Sequence, residues 1–408
     1  MKRILFSLLA MFAVGSLWAQ KIIIPDAEVR KGGTGSIFIQ VKYGVAEYLR
    51  GAQFDIILPE GITYNEGAAK MVTQQVGFQV TDHEVANQRY RFVITNLSGS
   101  KLVEGDMLEL PISASANITG TTLIGTATGS TASDGSPKIA LSGVDGSDSY
   151  TQDDFTFNII LTNEYILDER STTAPTKANN VDVHVKRSLK AGKWNTICLP
   201  FAMTEDQVKE AFGSDVVLAD FAGCKSTIEG SDITGLTLNF TTLSSVSIAM
   251  RHPYLIKISG TADIDYEEGF RVKGVNVNGT GTPTISAENG NFVGTYVSKL
   301  IGSEEEPVLY ISDDKFYIAV GKSKLKAFRG YFELFDLIFY MDYIKETGAK
   351  IDLSVDGEAT AIEGIDTNQR VVEGVYDLQG RKVMVKDGDI NNLQRGLYII
   401  NGKKVAIK

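Results

Sequence analysis

Residues 36–43, SIFIQVKY, decide the fold. In an extended chain successive side chains point to opposite faces, so Ile37, Ile39, Val41 and Tyr43 line one face of a strand. The same period of two returns in Tyr90, Phe92 and Ile94, with Arg89 and Arg91 on the opposite face, and in Phe155, Phe157, Ile159 and Leu161. Turns rich in Gly, Asn, Asp and Ser separate such runs, and the chain holds 40 glycines. A strand that buries one face needs a second sheet to bury it against, so stacked sheets are the economical architecture. The expected class is all-β: consecutive β-sandwich domains, one short helix in the middle domain and a small C-terminal β-domain.

At 408 residues the chain has room for two to four domains, at roughly 100–200 residues each. The stretch STTAPTKANN, residues 171–180, lacks periodicity and contains Pro175. It places a linker over 163–180 between a first sandwich, 21–162, and a middle β-rich module, 181–356. The middle module opens on the alternating Val181–Val185 and on Trp194–Phe201, WNTICLPF. Its helix is predicted from Thr204, with Gln207 three residues on completing a capping box, Val208, Ala211 and Phe212 on one face and Gly213 at the stop. Strands are predicted at 236–240, 254–259, 270–277, 315–320 and 351–355. A third unit, 362–408, reads as short strands joined by tight turns, with Asn401-Gly402 suited to a hairpin.

Lys2 and Arg3 precede an apolar run, Ile4–Leu17, that ends in small residues, which is the pattern of a secretory signal peptide over 1–19 with cleavage after Ala19. The run falls short of the roughly 20 residues of a spanning helix. No Cys follows the cut, which argues against a lipid anchor there. Tyr331–Ile344 is apolar, but Glu333, Asp336 and Asp342 interrupt it, so no transmembrane segment is expected after the signal. The formal charge is −10, and −12 once Lys2 and Arg3 are removed. That acidity disfavours phosphate backbones, so no nucleic acid partner is expected. Cys198 and Cys224 are the only cysteines; a disulfide and two buried thiols are equally open.

Three resemblances add to this reading. The tail, with Val375–Val383 (VYDLQGRKV), Leu393–Ile400 (LQRGLYII) and Gly402–Lys408 (GKKVAIK), resembles the C-terminal sorting domains of type IX secretion substrates. Its matching residues are Tyr376, Leu378, Gly380, Arg381, Leu393, Gly396, Tyr398, Gly402, Lys404 and Lys408. That resemblance implies contact with secretion machinery and release or display beyond the outer membrane, or residence in the periplasm if the tail is not recognised. Residues 21–162 resemble a cohesin-like sandwich, the fold shared with some carbohydrate-binding modules, through Phe54–Ile62, Tyr90–Thr95, Leu102–Leu110 and a late loop at Ala132–Gly135. This implies contact with a surface protein or a glycan. Residues 181–356 resemble a β-rich module of exported bacterial proteins, through Trp194–Phe201, Pro253–Lys257, Phe292–Tyr296 and Phe328–Leu334, which implies no particular activity.

Chemistry-bearing motifs are sparse. His83, His184 and His252 are far apart in sequence, and no HExxH, CxxC, G-x-S-x-G or Walker pattern occurs. Gly32–Gly35 precedes a strand and suits a turn. The acidic runs Asp153–Asp154 and Glu304–Glu306 read as solvated loops. Asp387–Asn391 begins like a calcium loop but has Asn392 and Tyr398 where Gly and an acidic ligand belong, and Asp145–Asp154 reads as a polar turn. Trp194, the one tryptophan beyond the signal, is expected in the core, leaving Tyr43, Tyr48 and Tyr64 as candidates for stacking on sugars. The expectation is a non-enzymatic, exported binding or adhesion protein, without catalytic residues, metal or cofactor. A fimbrial or matrix subunit is the structural alternative, and a polysaccharide-degrading enzyme component a third.

Overall fold

The computed structural model describes residues 21–341 and 351–407, apart from 44–48, 73–76, 97, 99, 132–136, 144–148, 231, 261, 314, 361–364, 367–374, 377–381, 384–395 and 401–402. It is almost entirely β. In the first unit, Thr34–Lys42 pairs antiparallel with Gly105–Ala114, and Leu49–Ile57 pairs antiparallel with Arg89–Asn96. Thr122–Thr128 pairs with both Leu49–Ile57 and Phe155–Thr162, so one hydrogen-bonded ladder links the two layers. Their inward residues form a single core in which Ile37, Ile39, Val41, Phe54, Ile56, Phe92, Ile94 and Ile159 are all essentially water-free. The period of two sorts buried from solvent-facing side chains as the sequence predicts. Phe38 breaks the rule: it belongs to the outward face yet is buried, because the next segment of chain lies over it.

That segment corrects the linker. Within 163–180, Tyr165–Asp168 forms a strand parallel to Ala178–Lys186, and Tyr165 and Leu167 are buried. Ser171 and Thr172 reach back to Glu109, a fully buried carboxylate of the first sheet. Glu109 accepts from Ser171 Oγ at 2.7 Å, Thr172 N at 2.8 Å and Ser36 Oγ at 2.8 Å. Taking a carboxylate out of water requires such partners, and these lie more than 60 residues from it in sequence, where no local pattern signals them.

The middle region stacks two six-stranded sheets. One runs in the order Trp194–Ile197, Tyr254–Lys257, Val217–Glu229, Asp232–Thr242, Ile351–Val355, Glu358–Thr360. The other runs Thr284–Ala287, Gly290–Thr295, Arg329–Leu334, Val308–Ser312, Lys315–Ala319, Ile365–Asp366. The last of these lies inside the stretch assigned to the C-terminal unit, yet it pairs in parallel with Lys315–Ala319. Between the sheets, Phe221 and Phe240 meet Phe292 and Phe332; the latter two stack with centroids 4.5 Å apart. The helix Glu205–Phe212 has the predicted capping box of Thr204 and Gln207, and Gly213 closes it at φ +93°, a conformation that favours glycine. Val208 and Phe212 are its buried face. The five strands predicted in this region are present, two with identical bounds at Phe270–Val277 and Ile351–Val355. Arg329–Leu334, at the start of the apolar 331–344 stretch, is a strand with a buried face.

Removing a ring from the phenylalanine cluster leaves a cavity that the rigid sheets cannot close. Phe332→Ala is expected to lower stability by about 3–5 kcal/mol and Phe332→Leu by under about 1.5 kcal/mol. Urea titration followed by Trp194 fluorescence checks this; equal transitions for wild type and Phe332→Ala would refute it.

Candidate functional site

The four strands Pro137–Gly143, Leu49–Ile57, Arg89–Asn96 and Phe78–Ala86 form one layer of the first sandwich, with Phe78–Ala86 at its edge. Because Tyr90, Phe92 and Ile94 point into the core, their neighbours Arg89, Arg91 and Val93 project outward. Register places Gln53, Asp55 and Ile57 opposite Val93, Arg91 and Arg89, and places Thr81 and His83 opposite Val93 and Arg91 on the other side. At the centre is Asp55, whose side chain has no solvent exposure. Arg91 binds it in a fork, Nε to Oδ1 at 2.7 Å and Nη2 to Oδ2 at 3.0 Å, and Arg89 Nε donates to Oδ2 at 2.7 Å. Burial pushes the Asp55 carboxyl up, but the bonds from Arg91 and Arg89 outweigh it and hold it below the ordinary range. Both guanidiniums remain partly open to water, at 25% and 31% exposure, and are fixed in place before any partner arrives. Around them His83 and Thr81 are exposed.

The opposite layer is partly covered by the joint with the middle region. Arg170 lies over the Phe38 ring at 4.0 Å and is bound by Asp168 at 2.9 Å. Glu28 accepts from Lys186 Nζ at 2.9 Å and lies 3.6 Å from His184 Nδ1. His184 Nε2 donates to the Glu268 carbonyl, so Nδ1 is the atom that faces Glu28 and Arg271. The layer around Asp55, by contrast, keeps partly exposed guanidiniums and exposed Thr81 and His83 on its outer face.

Sequence-predicted sites fall in different places. Cys198 and Cys224 are free buried thiols in two separate cores, so the pairing left open by sequence is not made. Burial pushes the Cys224 thiol up to about 12. Tyr43 and Tyr64 are tied internally, to Leu102 O and Asp82 Oδ2 at 2.8 Å each, and do not present stacking faces; Tyr48 lies outside the described residues. Trp194 is half-buried rather than core. Asp153 pairs with Lys138, and Glu304–Glu306 is an exposed turn. His252 bonds Asp220 at 2.7 Å, well separated in the fold from His184 at the joint. Among the described residues no three metal-binding side chains converge, and no helix is long and apolar enough to cross a membrane. In the tail a four-stranded sheet places Tyr376 opposite Ile399 and Lys382, Gly396 opposite Ile407, Tyr398 opposite Val405 and Lys404 opposite Ile399. Ala19, Leu378, Gly380, Arg381, Leu393, Gly402 and Lys408 lie outside the described residues, as do the loop 132–135 and the stretch 387–391.

No family model matches the chain, and no curated protein matches it. Solved structures similar to it include the cohesin module of a Clostridium perfringens family 33 glycoside hydrolase, at 12% identity and TM-score 0.28, covering 36% of this chain and 98% of that one. A Clostridium thermocellum cohesin–dockerin complex is similar at 13% identity and TM-score 0.27, covering 35% and 99%. A non-cellulosomal cohesin from Archaeoglobus fulgidus is similar at 15% identity and TM-score 0.25, covering 35% and 91%.

The joint has a pH signature. The neighbouring His184 lowers the Glu28 carboxyl, burial opposes it, and Lys186 adds to the lowering, leaving it at about 2 against an ordinary 4.5. A carboxyl depressed on folding contributes stability that is complete above about 4.5 and is lost as pH falls toward about 2. Glu28→Gln should flatten the decline of the melting temperature across that window. An unchanged slope would remove Glu28 from the account.

Proposed function

We propose that this is an exported, non-enzymatic binding protein whose first sandwich docks a protein partner on the sheet face around Arg89, Arg91 and Val93. The observation that carries the reading is Asp55: a carboxylate withdrawn from water beneath a solvent-facing sheet, holding two arginines rigid. A guanidinium already fixed loses little freedom on binding, so its hydrogen bonds to a partner carry a small entropic penalty. Arginines are enriched at protein interfaces, and two cations over one carboxylate suit a polar or acidic partner surface. The cohesin-like residues in this region support the same reading, with protein preferred to glycan because the nearby tyrosines are engaged internally.

Thr81→Glu with Val93→Asp adds charge to this face without touching Asp55. Chemical crosslinking of the full chain to envelope proteins should capture a partner, and the double variant, folded by circular dichroism, should bind it about tenfold or more weakly. Equal capture by the variant would sink the sheet-face assignment.

Destination rests on the signal-like Lys2–Ala19 and the sorting-like tail. Deleting 362–408 is expected to retain the protein in the periplasm, read by surface protease accessibility. Surface display of the truncated protein at the wild-type level would show that the tail is only a terminal β-unit.

A further inference from the structure

A cleft of about 330 Å³ opens beside the Trp194–Ile197, Val308–Ser312 and Ser323–Leu325 strands, away from the Asp55 face. Its charge is lopsided: Lys190, Lys326 and Arg329 line it against the single carboxylate of Asp313, while Lys324, also in the lining, donates to the Val72 carbonyl and lies near Asp106 and Glu109. Behind the lining is Glu169, with no exposure, which accepts from Lys326 Nζ at 2.7 Å and Arg329 Nη2 at 2.6 Å. Glu169 also faces Arg187, which is fully buried. Arg187 donates to the carbonyls of Phe328 and Thr196, and its Nε has no hydrogen-bond partner among the described residues.

Three cations thus share one buried carboxylate, while Lys190 is matched by the half-exposed Asp263 at 2.9 Å. Buried positive charge without a counter-charge is unfavourable, and an anion in the adjoining cleft would supply it. Two rings bound the same space. Trp194 is half-buried with Lys257 Nζ 5.8 Å from its ring centroid, and Tyr310 is stacked on Tyr317 at 5.3 Å. Flat rings, hydroxyls of Ser188 and Ser312, and more cations than carboxylates in the lining suit a ligand with apolar ring faces, hydroxyls and a negative group.

We infer that this cleft binds an acidic saccharide of one or two rings, its carboxylate directed toward Arg329 and Lys326 and a ring face against Trp194 or Tyr310. The site is separate from the proposed protein-docking face, and neither depends on the other.

The full chain carrying Trp18→Phe leaves Trp194 as its single indole, so fluorescence reports on the cleft directly. Titration with digalacturonate should give a saturable change, weakening about tenfold or more for neutral digalactose and markedly on raising salt from about 0.05 to 0.5 M. Lys190→Gln and Tyr310→Ala, each folded by circular dichroism, should weaken it about fivefold or more. The inference is overturned if no saturable change appears up to about 10 mM, or if digalactose binds equally well. It is also overturned if both variants bind as wild type, or if inorganic sulfate or phosphate binds as tightly as digalacturonate, which would make the cleft a simple anion site.

Discussion

A carboxylate wholly removed from water must have its charge met on the spot, and Glu169 imposes that condition on the centre of this molecule. It follows directly on the Tyr165–Asp168 strand, its backbone N–H donates to Lys186 and its carbonyl accepts from Ala327. Its side chain draws Lys326 and Arg329 inward. Burial raises the carboxyl, while the charges of Arg329, Lys326 and Arg187 outweigh burial and hold it below the ordinary carboxylate range. Two residues further on, Ser171 and Thr172 satisfy Glu109 of the first sandwich. A segment of about ten residues is thereby held from both sides, and the first sandwich is seated on the middle region.

The rest of the stability is ordinary β-sheet physics. Inward residues of alternating strands fill the first core, and the phenylalanine cluster fills the second. Such burial contributes roughly 1.5–3 kcal/mol per large side chain against an entropy cost of similar total size. The buried charges add little net stability by comparison, since desolvation consumes most of their attraction. What they fix is side-chain position: Asp55 holds Arg89 and Arg91, and Glu169 holds Lys326 and Arg329.

Two surfaces follow from this arrangement. On the sandwich, Asp55 fixes Arg89 and Arg91 on an open sheet face; in the middle region, Glu169 fixes Lys326 and Arg329 beside a cleft. Each is a buried acid that fixes the bases bound to it. The first suits the extended surface of a protein, the second a small anionic ligand with ring faces.

Local pattern was enough for much of this. Ile37, Ile39 and Val41, Phe92 with its flanking arginines, and Thr204 with Gln207 each carry their structural role in a spacing of two to four residues, because strand pleat and helix capping are local. The strand in 165–168, the parallel attachment of Ile365–Asp366 and the free state of Cys198 and Cys224 depend on partners far along the chain. So do the Asp55 clamp and the cleft around Trp194, where charge balance is set by groups 34 to 160 residues apart. Alternation determined that strands form and which faces they bury; only tertiary structure decided which buried acid meets which base, because that pairing exists only once water has been excluded between distant segments.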